Sequence, residues 1–423
     1  MISKVKKKLI LLIFIIPALA AAGEFFARRS VFPVPDRADL FELFTLEDAP
    51  VFFDEGAGRM RTRPELTALD NSAVSFPAMP GPGTERVICV GGSTTAGWPF
   101  HPRGGYPERM RLYLEDFYGG GSAVEVINAG FHNFDSRREI SVSNQLAGFK
   151  PDIALVYSGY NELQTYYARG PLGALRAPHR SLMRRSALYN WTRYELGLSG
   201  ARMRGNVSLP LLSYPQKEKM FSRFRRNLTA SAKALKAGGA SVYLLELVWA
   251  PGYTPPFPGP EYISRMNSEI RQAGLDSGAA VIKTGEFISA DDFVDAEHLT
   301  LSGYAKLGLG LARVLCAGPL AAQGCRQGPL RGEAQYARLL ETDDPAWLAG
   351  VRARLALVYC LLSLEAKASG QLELAEASSP GTALNSLAMA GNRKVLELLA
   401  LTDEKLGYPD RAAAARSALA KLK

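Results

Sequence analysis

Histidine and cysteine are scarce in this chain, and each scarcity excludes something. Four histidines stand among 423 residues: His101, His132, His179 and His298. A general base that works near neutral pH is most often a histidine, so there are few places to look for one. The four cysteines, Cys89, Cys316, Cys325 and Cys360, include no C-x-x-C pair. That leaves zinc and dithiol motifs unsupported, and neither a metal nor a cofactor is expected. Cys89 lies in an apolar run and reads as a small core residue. Cys316 and Cys325 either close a short loop, as an oxidising compartment would permit, or remain free thiols.

Long hydrophobic runs are also lacking. The longest is LILLIFIIPALAAAG at residues 9–23, which Glu24 ends. It falls short of the roughly 20 residues that span a bilayer. Lys4, Lys6, Lys7 and Lys8 precede it, and a basic start before a short apolar stretch reads as an export signal. Residues 1–30 are therefore expected to be a cleaved signal peptide or a retained membrane anchor. The body of the protein would lie outside the cytoplasm, in a periplasmic or extracellular compartment. Acidic residues are the third thing missing, in one place. Between Arg169 and Arg226 thirteen Arg and Lys face only Glu195 and Glu218, a surplus of eleven against +9 for the whole chain. Export disfavours a nucleic-acid partner. An anionic glycan or a negative membrane surface fits the charge better.

What is present is ordinary enough to fold: 47% apolar and 22% charged residues. Residues 31–83 read as an extended lead-in, closed by AMPGPGT at 78–84. Beyond it, short β-branched runs alternate with helical patterns. The strand candidates are Arg86–Val90, Val124–Asn128, Asp152–Tyr157, Ser241–Leu247 and Ala279–Ile282. Such alternation predicts an α/β domain over 84–328, a parallel sheet of about five strands covered on both faces. Ligands on such sheets sit at the carboxyl ends of the strands. Residues 329–423 turn helical, without a strand signal, and are expected to form a separate all-α unit. GQLELA at Gly370 and GYPDRA at Gly407 share the pattern G-x-x-[DE]-x-A, 37 residues apart. Either this marks a repeat of the tetratricopeptide type or it is a plain helical tail. A repeat would offer a surface for a protein partner.

The stretch VICVGGSTTAGWPF ends a strand in two glycines and three hydroxyl residues. Ser93 or Thr94 could simply cap a helix there. Alternatively, Ser93 is a nucleophile at the sheet edge, beside backbone donors able to hold an oxyanion. Asp295 and His298, in FVDAEHLTLSGY, follow the fifth strand. At this spacing a carboxylate can bond one ring nitrogen while the other takes a proton from a serine. Taken together, GGSTT, VINAGFHNFD, SGYNEL and DAEH, in this order, resemble the four sequence blocks of the SGNH (GDSL-type) hydrolases.

That resemblance implies a flavodoxin-like α/β/α fold. It also implies Ser93 as nucleophile, His298 as base, Asp295 as the residue that orients it, and an oxyanion hole from Ser93, Gly130 and Asn161. Gly159 and Glu162 complete the third block. Gly92 stands where the family often has aspartate, so the bonding around the serine should differ. The expected partner is an acyl ester, O-acetyl in the first place, on a glycan. Acyl transfer, lipase or lysophospholipase chemistry on the same triad, and a catalytically silent helical-repeat scaffold, are the alternatives.

Overall fold

The computed structural model describes residues 19–28, 50–67, 73–120, 124–163, 182, 186–195, 212–250, 259–361, 364–388 and 393–420. Among the described residues eight strands form two sheets. The small one is antiparallel, β1 (Phe52–Gly56), β2 (Arg59–Thr62) and β3 (Ser75–Pro77). The large one holds β4 (Glu85–Gly91), β5 (Val124–Gly130), β6 (Ile153–Tyr157), β7 (Ser241–Leu245) and β8 (Ala280–Ile282), in the order β5-β4-β6-β7-β8. Every neighbouring pair in it is parallel. This is the flavodoxin-like order, whose switch point falls beside the first strand of the sheet. Here that strand is β4, and the sequence after it is GSTT. β6 is buried at every position, as a strand covered on both faces must be.

Helices pack on both faces. Tyr106–Phe117 (α1) lies against Leu301–Ala317 (α2), while Ser136–Ala147 packs on Tyr214–Ala237, which packs on Pro260–Ser277. The lead-in is not simply extended, since its described part holds the small sheet and a short helix, Pro64–Thr67. The turn that makes this possible is Gly56-Ala57-Gly58, all three with positive φ. Gln145 ties the sheet to the domain: its side chain accepts from the N–H of Val51 and Phe52 and donates to the Phe52 carbonyl.

The C-terminal helices are Glu333–Leu339, Pro345–Leu361 (α3), Glu365–Ser378, Thr382–Ala388, Arg393–Lys405 and Pro409–Ala420. They do not stand apart in packing. One hydrophobic cluster runs from the sheet through Tyr336, Leu340 and Leu355 to Leu399. Arg331 pairs with Asp116, and the Tyr113 and Tyr336 rings meet edge-on at 4.9 Å. The two glycines of the repeat pattern occupy unlike places. Gly370 lies inside a helix, whereas Gly407 turns between two, with φ +80°. That pattern therefore does not mark equivalent positions. Cys316 and Cys325 are disulfide-bonded, with Cα atoms 5.3 Å apart, while Cys89 and Cys360 are free. Among the described residues no helix is long and apolar enough to cross a membrane. Residues 1–18, with most of the apolar run, lie outside them, as does most of the basic stretch.

Candidate active site

Ser93 opens a one-turn helix, Ser93–Ala96, directly after β4. Two glycines precede it because the chain is crowded there. A Cβ on Gly91 would lie 2.4 Å from the Tyr157 carbonyl, and one on Gly92 would lie 2.6 Å from Asn161 Nδ2. The glycine that departs from the family pattern is thus the one that admits the Asn161 amide. Asp295 and His298 share a closed turn. Phe293 bridges Leu299, the Val294 N–H donates to the His298 carbonyl, and the Thr300 N–H donates to the Asp292 carbonyl. Thr300 then caps α2. The Thr94 hydroxyl donates to the Glu297 carbonyl at 3.0 Å and binds this turn to the serine helix.

These elements bring three side chains into series. Ser93 Oγ lies 2.7 Å from His298 Nε2, and His298 Nδ1 lies 2.7 Å from Asp295 Oδ2. The other Asp295 oxygen accepts from the N–H of Glu297 and His298. Burial alone would raise the pKa of Asp295, yet the charge and hydrogen bond of His298 and those two N–H groups hold it below the ordinary range. Burial alone would lower that of His298, but the Asp295 charge and hydrogen bond, joined by the Glu297 charge, raise it above 6.5. Each partner thus stabilises the charged form of the other. Glu297 itself is pushed up to about 7 by burial and by Asp295, against the opposing charge of His298. Proton transfer between a hydroxyl and an oriented imidazole is what this arrangement can do.

The remaining predicted residues fall on the same edge with different roles. Asn161 is buried and donates from Nδ2 to the Phe134 carbonyl at 2.9 Å, with its amide against Gly92. Ser93 offers the N–H of a helix start. Gly130 does not fit its assigned role. Its N–H is taken by the Asn128 side chain at 3.0 Å, and a Cβ there would lie 2.2 Å from Ala96 N. It is a close-packing glycine beneath the serine helix. Glu162 accepts from the Ser136 N–H and is pushed up to about 7, chiefly by burial.

The residues that the motifs do not reveal are aromatic. Trp98 lies 6.4 Å from the His298 ring, stacks on His101 at 5.4 Å and meets His132 edge-on at 5.1 Å. Three of the four histidines therefore gather here, and their scarcity was the available signal. His179 lies outside the described residues. Among the described residues no group of three or more metal-ligating side chains is arranged to hold a metal ion.

Fold and site define a class: a flavodoxin-like α/β domain with a Ser–His–Asp series at the carboxyl edge of its sheet. No family model and no curated protein matches the chain. Solved structures do. The lipase/acylhydrolase from Enterococcus faecalis is 17% identical, with TM-score 0.37, over 55% of this chain and 96% of its own. The aryl esterase of M. smegmatis is 17% identical, with TM-score 0.34, over 55% and 99%. Axe2, an acetylxylan esterase from Geobacillus stearothermophilus, is 15% identical, with TM-score 0.36, over 59% and 99%.

Proposed function

We propose that this protein is a serine ester hydrolase of the SGNH type. The observation that carries the reading is the unbroken series Asp295–His298–Ser93, with both side-chain links at 2.7 Å. In the reaction, Ser93 Oγ attacks the ester carbonyl as His298 Nε2 takes its proton. His298 then protonates the departing alcohol, and water releases the acyl group by the same route in reverse. The oxyanion forms against the Ser93 N–H and the Asn161 amide. A second backbone donor comes from the loop after β5 in place of Gly130. That loop is held beside the serine, since the Phe131 N–H donates to the Gly91 carbonyl and Asn161 reaches the Phe134 carbonyl. Asn133, exposed and with φ +57°, is its residue in the left-handed region.

The substrate of this proposal is an O-acyl ester, O-acetyl first, borne by an anionic glycan outside the cytoplasm. The basic stretch 169–226 supports the glycan, and the lysine cluster with the Cys316–Cys325 bond supports the compartment. A silent scaffold would have no use for three aligned side chains. The test is labelling with a fluorophosphonate followed by peptide mass analysis. The expected adduct is on Ser93, and a full-length folded protein that takes no label overturns the reading.

A further inference from the structure

The segment after the serine helix is held from two directions. On its inner side it is bonded to the serine itself: the N–H groups of Gly97 and Trp98 both donate to the Ser93 carbonyl, at 2.9 and 3.0 Å. Tyr304 of α2 donates its hydroxyl to the Trp98 carbonyl at 2.7 Å. On its outer side the C-terminal region takes over. Arg354 of α3, 255 residues away in the chain, donates from Nε and from a terminal guanidinium nitrogen to the Pro99 carbonyl, at 3.1 and 2.9 Å. Arg103 reaches across in the opposite sense, to the Glu341 carbonyl at 2.9 Å and the Glu341 carboxylate at 2.8 Å. Trp347 of α3 lies against Phe100, with Arg103 over its ring.

We propose that the C-terminal helical region is part of the catalytic apparatus, with Arg354 as a positioning residue that fixes Trp98 and, through it, the Ser93 backbone against His298. The chain of contacts has no gap: Arg354 guanidinium, Pro99 carbonyl, Trp98, Ser93 carbonyl. Two parallel donors on one carbonyl fix direction as well as distance, which a single ammonium does less well. Trp98 is the side chain whose ring borders His298, so a shift at Pro99 moves both the nucleophile's backbone and the wall of the site. The Tyr359 hydroxyl, also on α3, is pushed up first by burial and then by the Asp295 charge, so this helix lies within electrostatic reach of the triad. The role rests on the hydrolase reading, because it has meaning only if Ser93 reacts.

The experiment uses the full chain, p-nitrophenyl acetate and a small fluorophosphonate. R354M keeps the aliphatic stem and removes both donors. It is expected to lower kcat and the labelling rate of Ser93 by about ten- to a hundredfold, as a displacement on the order of 1 Å does. KM should stay within about twofold and the melting temperature near that of the unsubstituted protein. R354K, which can still donate once, should recover at least half of the loss. Wild-type kcat and labelling in R354M would overturn the proposal, and so would an R354K as impaired as R354M. Should R354M fail to fold, R103M breaks the second tie, and unchanged kcat there would overturn it equally. Failure of the unsubstituted protein to take the label would instead count against the hydrolase reading, so the two failures are told apart.

Discussion

The two ends of the parallel sheet both bury polar side chains, but they do so differently. At the amino end Arg86 is fully buried, and its guanidinium is surrounded by partners. It donates to the carbonyls of Pro77, Ala78 and Phe149 and to Glu125, while its N–H meets Asp152. At the carboxyl end Asp295, His298 and Ser93 form a line rather than a cage, ending in the hydroxyl of a residue that is 8% exposed. A cage satisfies a charge and holds elements together. A line that ends in a hydroxyl on an imidazole has the geometry for proton transfer. The contrast separates structural polarity from chemical polarity without reference to any motif, and it predicts opposite outcomes for substitutions at the two ends.

The largest effect belongs to the open terminus. Ser93→Ala and His298→Ala should each lower kcat by about 10^6-fold, with the double variant little worse, because nucleophile and base act as one unit. The melting temperature of Ser93→Ala should hardly move, since a serine at a strand end supports no core, whereas His298→Ala should also lower it, because the buried Asp295 carboxylate loses its partner. Steady-state turnover of p-nitrophenyl acetate beside a thermal melt checks both halves. Ester turnover surviving Ser93→Ala would erase the distinction between the two ends.

Asp295→Asn comes next, at about 10^4-fold in kcat through loss of the oriented tautomer. Its pH profile is the sharper test. His298 must be neutral to accept the serine proton, and its pKa is raised above 6.5. In the unsubstituted protein kcat/KM should therefore fall on the acid side with a midpoint above 6.5. Removing the Asp295 charge should carry that limb to lower pH. A limb that stays in place would mean another group titrates. Asn161→Ala is milder, about 10²- to 10³-fold in kcat, as for one lost oxyanion donor. It should also lose some stability, because the Phe134 carbonyl loses its partner.

The line was far more legible in the sequence than the supports around it. Strands β4 to β8 and the residues Ser93, Asp295 and His298 are announced by local features: β-branched runs, a hydroxyl after glycines, a carboxylate three residues before a histidine. The small sheet was missed because its strands are short and its pairing spans a connection that carries no periodicity. The surroundings of Gly130 are not legible in the sequence, because residue type does not tell where a backbone N–H points, and here it donates to the Asn128 side chain two residues earlier. The Arg354–Pro99 contact joins residues 255 apart. Nothing at either position distinguishes it from an ordinary surface arginine or an ordinary turn, so only the packing of α3 shows that the helical region touches the site.

The smallest effect on chemistry should come from the cage. Arg86→Ala removes the buried member of an ion pair with Glu125, whose side chain is 23% exposed. It also strips three carbonyls of their donor. A buried carbonyl left without its donor typically costs about 1–3 kcal/mol, and the partly exposed Glu125 adds less than a fully buried partner would. The urea midpoint should therefore fall by a large fraction of the total stability. Turnover per active site, counted by fluorophosphonate titration, should nevertheless remain within about twofold of the unsubstituted protein. The reason is geometric. β4 runs from Glu85 to Gly91, and its carboxyl end is fixed by its own register with β5 and β6, Gly91 opposite both Gly130 and Tyr157. A loss at the amino end can weaken the whole fold without moving Ser93 relative to His298 in the molecules that remain folded. A fall in turnover per titrated site, with the urea midpoint unchanged, would show instead that the two ends of the sheet are mechanically coupled and that the cage serves the chemistry.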